Sequence, residues 1–165
     1  VVLNPATPVC VLESIIDVVV HGPDDGQLDG HVAVYPLTAS GLPTADMLTL
    51  VLNHLSGEKR RPLCDSVQAL APPEVAFTIQ GSLTFYATAD RALAMQQAQA
   101  AADAWAADRR AGLGRDIVPE QLTAVLQVAG VYRAVLTLPL LTAVQSHQWA
   151  NCTGIMLTDA GVVDG

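Results

Sequence analysis

The chain has 165 residues and a formal net charge of −8, with 16 acidic residues against 8 basic ones. This balance argues against nucleic acid as a main partner, because neutralising phosphates requires a basic face. A hydrophobic fraction of 51% allows a packed core. With this apolar content we do not expect general disorder. No apolar run approaches the roughly 20 residues that cross a bilayer, so we do not expect a membrane partner either.

Three cysteines, Cys10, Cys64 and Cys152, lie far apart in the sequence. An odd number without paired spacing indicates reduced, mostly buried thiols rather than a disulfide or metal framework. The chain begins with Val rather than Met, and we therefore expect it to be a fragment of a longer protein.

The first part of the chain predicts a hairpin followed by a helix. Residues 1–14 contain two prolines and are expected to form an irregular lead-in. Residues 15–21 and 31–37 are rich in β-branched side chains and predict two strands, joined by the turn-forming residues 22–30. Pro36 indicates an edge or the end of the second strand. Thr44 is a suitable N-cap, apolar residues then recur at helical spacing, and Gly57 is placed to end the helix.

Residues 60–86 contain the clearest pattern in the sequence. An extended segment, residues 63–71, ends at two prolines. Apolar side chains then occupy alternate positions, namely Val75, Phe77, Ile79, Leu83 and Phe85. Alternation of this kind predicts a half-buried strand of roughly 40 Å over residues 75–86, with a bulge at Gly81.

The C-terminal half predicts two more helices and two more strands. An alanine-rich helix is expected over residues 90–111, with Trp105 as its large anchor, and a second helix is expected from Pro119 to Gly130. Strands are expected over residues 131–138 and 149–158, followed by a fraying tail. The order predicts an α+β fold, with a mainly antiparallel (mixed) sheet, about three helices packed on it and ferredoxin-like elements. We divide the chain into a lead-in strand and hairpin loop (residues 1–29), an α+β region (30–158) and a tail (159–165).

The polar clusters do not predict a catalytic, cofactor or metal site. The loop with Asp24, Asp25 and Asp29 lacks the full ligand pattern of a calcium loop and is interpreted as a solvated turn. His21 and His31 are expected to face each other across the hairpin, which permits at most a weak metal contact. Neither His54 nor His147 lies at metal-ligand spacing from another His, Cys or Glu in the sequence.

Possible nucleophiles and phosphate-binding motifs are equally incomplete. Ser66 and Ser82 lie outside any nucleophile-elbow pattern, and Asp65 beside Cys64 disfavours a thiolate. The glycine pair at residues 112–114 follows a helix and lacks the Lys-Ser/Thr of a phosphate loop.

Five arginines are candidate interaction residues: Arg60, Arg61, Arg109, Arg110 and Arg115. The pairs 60–61 and 109–110 flank the C-terminal ends of predicted helices, where cations complement the helix dipole. On an acidic chain, these arginines are also candidate docking points for acidic partner surfaces. The sequence leaves both interpretations open.

Four segments stand out in order along the chain: GHVAVY at residues 30–35, RPLCDSV at 61–67, LGRDI at 113–117 and GVYRAV at 130–135. Together they resemble the baseplate-J family, the baseplate wedge proteins of contractile-tailed bacteriophages. The resemblance covers residues 15–158 and corresponds to the C-terminal half of such proteins. Cys64 stands where the family usually has Thr.

The resemblance implies a structural, non-enzymatic subunit in the virion tail baseplate of a phage or phage-tail-like particle. It implies assembly in the host bacterial cytoplasm, contacts with other wedge and hub proteins, and self-association in a ring around the tail hub. One alternative is a small α+β ligand-binding domain or enzyme of unknown substrate, which requires a buried pocket with His31, Asp65 and another titratable residue. Another is RNA binding on the strand face with Thr78, Gln80 and Ser82, but that face has no stacking aromatic side chains and the net charge disfavours RNA.

Overall fold

The computed structural model describes residues 13–56 and 66–164. Several features predicted from the sequence lie outside these ranges. They are the first part of the lead-in with Cys10, the cap at Gly57, the basic pair Arg60-Arg61, and most of the 61–67 segment with Cys64 and Asp65.

The secondary structure follows the predicted order. The strands are β1 (Ile15–His21), β2 (His31–Thr38), β3 (Ser66–Ala69), β4 (Glu74–Tyr86), β5 (Val131–Leu138) and β6 (Trp149–Val163). The helices are α1 (Ala45–Leu55), α2 (Arg91–Arg110) and α3 (Pro119–Leu126), with a short 3₁₀ turn at Pro23–Asp25.

The α+β class is confirmed, but the strands do not form one sheet. In the part of the chain that the structure describes, they form two three-stranded sheets: a first sheet in the order β1-β2-β3 and a second sheet in the order β5-β4-β6. Each sheet is mixed, because β2–β3 and β4–β6 are parallel while β1–β2 and β4–β5 are antiparallel. The sheets divide at residues 70–73, inside the range 30–158 that we expected to form one region.

The predicted hairpin forms the first sheet together with β3. Thr44 caps α1 by accepting a hydrogen bond from the N–H of Met47, as its position before the helix predicts. Pro36 lies in the middle strand, yet β3 pairs with β2 only between His31 and Val34. The missing N–H of Pro36 therefore falls beyond the β3 ladder, where it interrupts no pairing.

The predicted central strand is β4, and its alternation is confirmed. Phe77, Ile79, Leu83 and Phe85 are buried on the face that packs against α2 and α3. The β4–β5 register shifts between Gln80 and Gly81, at the predicted bulge.

The alanine-rich helix α2 packs closely on the second sheet. The carboxylate of Asp90 caps it by accepting hydrogen bonds from the N–H groups of Ala92 and Leu93. Its buried face consists of Ala94, Ala98, Ala102, Trp105 and Ala106. Small side chains bring the helix axis near the strands, and Trp105 meets Phe77 edge to face at 6.0 Å.

Two expected element ends are wrong. Helix α3 ends at Leu126 rather than at Gly130, which adopts a left-handed conformation (φ 91°) in the turn before β5. The last strand continues to Val163 instead of fraying after residue 158, because Val162 and Val163 pair with Phe85 and Tyr86 of β4. The register shift before this segment coincides with Gly161, whose positive φ of 100° accommodates it.

Trp149 connects the two sheets. Its backbone N–H donates to the carbonyl of Pro73 (2.9 Å), and its indole N–H donates to the carbonyl of Arg110 (3.0 Å). Its ring lies against Gly41, where an added Cβ would be 2.9 Å from the indole. A second link is the hydrogen bond from the Leu113 N–H to the carboxylate of Asp17 on β1 (2.9 Å).

Gly81 provides a test of the bulge. A Cβ at this position would lie 2.8 Å from the carbonyl oxygen of Val135, so the backbone of β5 has to move. We expect Gly81→Ala to lower the free energy of unfolding by about 1–3 kcal/mol, measured by urea denaturation. Gly154→Ala on β6 is the control, since a Cβ there meets nothing within 4 Å. Equal effects of the two substitutions would contradict the close approach at Gly81.

Candidate assembly surfaces

Arg109 and Arg115 both form ion pairs with the carboxylate of Asp108. Arg109 Nη2 and Arg115 Nη1 lie 2.5 and 2.6 Å from the two carboxylate oxygens of Asp108. Arg109 also donates to the carbonyl of Asp116, and Arg115 to the carbonyl of Asp108. The hydrogen bonds from Arg109 and then Arg115 lower the pKa of the Asp108 carboxyl below its ordinary value. These two arginines therefore fasten the turn that follows α2.

Arg110 projects in a different direction from its neighbour. Its guanidinium carbon lies 5.8 Å from the ring centroid of Trp149 and forms no ion pair with any described residue. The side chain is exposed. Of the predicted interaction residues within the described ranges, Arg110 is the one whose charge is available to another molecule.

Two shallow grooves flank Arg110. The first, about 380 Å³, runs between α2 and the start of β6 and includes Asp103 and Cys152. The second, about 360 Å³, lies at the junction of the two sheets and includes Ile16 and Trp149. The second groove is mainly apolar, so an occupant could combine apolar contacts with a carboxylate at Arg110.

The edge strand β1 presents an apolar outer face. Ile16, Val18 and Val20 occupy alternate positions and are 47%, 45% and 54% exposed. Within the described ranges β1 pairs only with β2, so no described strand covers its other edge. An edge strand with β-branched side chains on its outer face is a typical site of association with another chain.

The second sheet also leaves one face open. Helices α2 and α3 cover the face with the buried core residues, whereas Thr78, Gln80 and Ser82 lie on the opposite face. Tyr86 and Tyr132 meet edge to face at 5.4 Å at one end of this face. The net negative charge disfavours RNA there, as the sequence indicated.

His21 and His31 do not face each other across the hairpin, so that expectation is wrong. The β1–β2 register places His21 opposite Ala33, while His31 lies beside β3 and its Nδ1 is 3.2 Å from the carbonyl of Asp29. His21 instead contacts His147, 126 positions later in the sequence, which spacing alone had not connected to it. Within residues 13–56 and 66–164, no group of three or more His, Cys, Asp or Glu is placed to hold a metal ion.

Cys152 and the acidic loop have local structural roles. Cys152 is free and partly buried, and burial raises the pKa of its thiol. Asp25 accepts a hydrogen bond from the N–H of Gly22 (3.1 Å) and so caps the 3₁₀ turn. Within the described ranges, no helix has the length and apolar character needed to cross a bilayer.

Comparisons with known proteins match both parts of the chain. Residues 75–158 match the family model described as Baseplate J-like protein C-terminal domain, and residues 10–71 match the one described as Baseplate J-like central domain. These ranges divide at nearly the same place as the two sheets. The chain is 31% identical over 135 residues to Baseplate protein J of Escherichia phage P2, covering 79% of this chain and 43% of that protein. It thus spans less than half the length of this relative.

A solved structure is also similar. The cryo-EM structure of the anti-feeding prophage baseplate, six-fold symmetrised, contains a chain with a TM-score of 0.47 and 17% identity. The similarity covers 73% of the present chain and 28% of that one.

The Asp108 cluster yields a prediction. We expect Arg115→Gln to raise the pKa of Asp108 towards its ordinary value, because one of the two hydrogen bonds that favour the carboxylate is lost. Carboxyl ¹³C NMR titration measures the change. Arg91→Gln is the matched control, since Arg91 pairs with Asp159. An unchanged Asp108 titration in Arg115→Gln would show that the pair does not persist in solution.

Proposed function

Because the chain belongs to the baseplate J-like family, we propose that it is a structural subunit of a contractile-tail baseplate. The observation that carries the proposal is the match of two successive baseplate family domains to residues 10–71 and 75–158. We place the subunit in a wedge of the ring around the tail hub, in the baseplate of a phage or a phage-tail-like particle. Assembly takes place in the host bacterial cytoplasm.

The proposed role is non-enzymatic. Its chemistry is association: burial of apolar surface and pairing of charges between subunits. The partners are other wedge and hub proteins and further copies of the chain in the ring. The division into two sheets supports this role, because each sheet offers a different face to a neighbour.

Two surfaces on the same side of the inter-sheet junction are the proposed contacts. One is the outer face of β1, with Ile16, Val18 and Val20. The other is Arg110 with its two grooves, and Ile16 links them because it lines the second groove. A partner segment with apolar side chains and a carboxylate fits this combination, since Arg110 supplies a positive charge on an otherwise acidic chain.

Deletion and complementation test the proposal as a whole. A strain that lacks the chain is expected to produce no intact tails by electron microscopy, and the wild-type gene is expected to restore them. Intact and infectious tails from the deletion strain would overturn the structural role.

Val18→Lys tests the β1 surface. A lysine at the centre of an apolar contact has to be desolvated without a partner, so we expect association with the neighbouring tail proteins to weaken about tenfold or more, or about 1.4 kcal/mol. Co-purification of assembly intermediates measures the effect. Leu93→Lys on α2 is the control, because Leu93 is 51% exposed and lies away from the junction. Normal assembly of the Val18→Lys variant would exclude this face as a contact.

Arg110→Glu tests the charged contact. Reversal of the charge is expected to slow association and to reduce its dependence on salt, because steering by the guanidinium is lost. The same reversal at Arg91, which pairs with Asp159 on the surface, is the control and is expected to leave the rate nearly unchanged. Equal effects of both substitutions would indicate net charge rather than a contact at Arg110.

A further inference from the structure

Three aromatic rings meet where the two sheets touch. His21 lies on β1, Tyr35 lies on β2, and His147 lies in the loop before β6. The ring centroids are 5.4 Å apart for His21 and Tyr35, 4.7 Å for His21 and His147, and 4.9 Å for Tyr35 and His147. Each histidine therefore contacts both other rings, and the cluster joins elements of different sheets.

The contact is accessible to water and to protons. His21 Nε2 lies 3.0 Å from the hydroxyl of Ser146, next to His147 in the same loop. A cavity of about 470 Å³ opens beside the rings, and its walls include Asp25, Tyr35 and both histidines. A change of pH in the surroundings therefore reaches the imidazoles directly.

The position of His147 suits the neutral imidazole and not the imidazolium. Its Nδ1 is buried and has no hydrogen-bond partner among the described residues. A neutral ring can place its lone pair there, whereas a protonated ring carries an N–H on both nitrogens. Protonation while the junction is closed therefore leaves a buried donor unsatisfied, which is unfavourable.

The second histidine opposes protonation further. Two imidazolium ions with centroids 4.7 Å apart would repel each other, so a positive charge on both rings is unfavourable while they are in contact. Burial, and then the nearby His21, lower the pKa of His147. Asp25 lines the same cavity and favours a positive charge, while Asp17 on β1 is engaged with the N–H of Leu113. No described arginine or lysine lines this cavity.

We propose that His21, Tyr35 and His147 form a pH-sensitive latch that holds the loop before β6 against the first sheet at neutral pH and releases it in mildly acidic solution. The folded state lowers the pKa of His147, so the unfolded or open state binds protons first. The stabilisation by the latch is therefore complete above the ordinary histidine pKa of about 6.5 and is lost as the pH falls through the lowered value.

Hydrogen exchange of the full chain tests the latch. Backbone amide protection at residues 145–148, corrected for intrinsic exchange rates, is measured between pH 7.5 and pH 5. We expect it to fall by about tenfold for each unit by which the closed junction lowers the pKa of His147. Protection within the β4–β6 ladder is the internal reference and is expected to change less.

His147→Phe separates the charge from the packing. A phenyl ring retains the aromatic contacts and loses no hydrogen bond at Nδ1, but it cannot be protonated. The variant is expected to keep its junction protection at both ends of the pH range. His31→Gln is the control, because His31 lies outside the cluster, and it is expected to behave as the wild type.

A fall in protection that is as large in His147→Phe as in the wild type would overturn the proposal, and so would constant protection in the wild type. Should His147→Phe fail to fold, His147→Leu makes the same test, because it also removes the group that takes up the proton. This variant is expected to keep its junction protection from pH 7.5 to pH 5. A fall in protection as large as that of the wild type would equally refute the latch.

Discussion

The arrangement of the two sheets depends on the burial of Trp149. This side chain is 4% exposed, and its two N–H groups and its ring reach three different parts of the chain: the start of β4, the end of α2 and the turn at Gly41. A large aromatic residue can satisfy its indole N–H in the interior only if an acceptor lies within hydrogen-bond distance, and the last turn of α2 supplies the carbonyl of Arg110. The exposed Arg110 side chain places its guanidinium carbon 5.8 Å from the centroid of the same indole ring. Core packing and the proposed assembly surface are thus determined together.

Much of the secondary structure could be predicted from the sequence because it depends on local patterns. The alternation along β4, the cap at Thr44 and the alanine face of α2 are properties of neighbouring residues. The division into two sheets could not be predicted in the same way, because it depends on which distant strands pair. The extension of β6 also depends on a distant partner. In the sequence Gly161 indicates a turn, whereas the pairing of Val162 and Val163 with Phe85 and Tyr86 shows that the strand continues past a bulge.

The candidate site was predictable in part. The sequence indicated the arginines, but it could not distinguish Arg109 from Arg110, since adjacent helical residues point about 100° apart and their partners lie elsewhere in the chain. Arg109 pairs with Asp108, whereas Arg110 lies beside the ring of Trp149. The contact with Trp149 in particular forms only in the folded chain. The apolar face of β1 was visible as β-branched residues, yet its exposure depends on β1 being an edge strand. His21 and His147 carried no common signal, because nothing in their spacing links them.

The parallel pairing of β4 with β6 has a consequence for the order in which the chain folds. The β4–β6 pairing runs from Glu74 with Trp149 to Tyr86 with Val163. One whole edge of β4 therefore stays unpaired until β6, which is synthesised much later, is available. The antiparallel partner β5 and the helices α2 and α3 are available first, and they can bury the apolar face of β4 before β6 arrives. Until then β4 exposes a long row of unpaired N–H and C=O groups, which is the arrangement most prone to pairing with the wrong chain. Closing this edge of β4 therefore depends on β6, the last strand of the described chain.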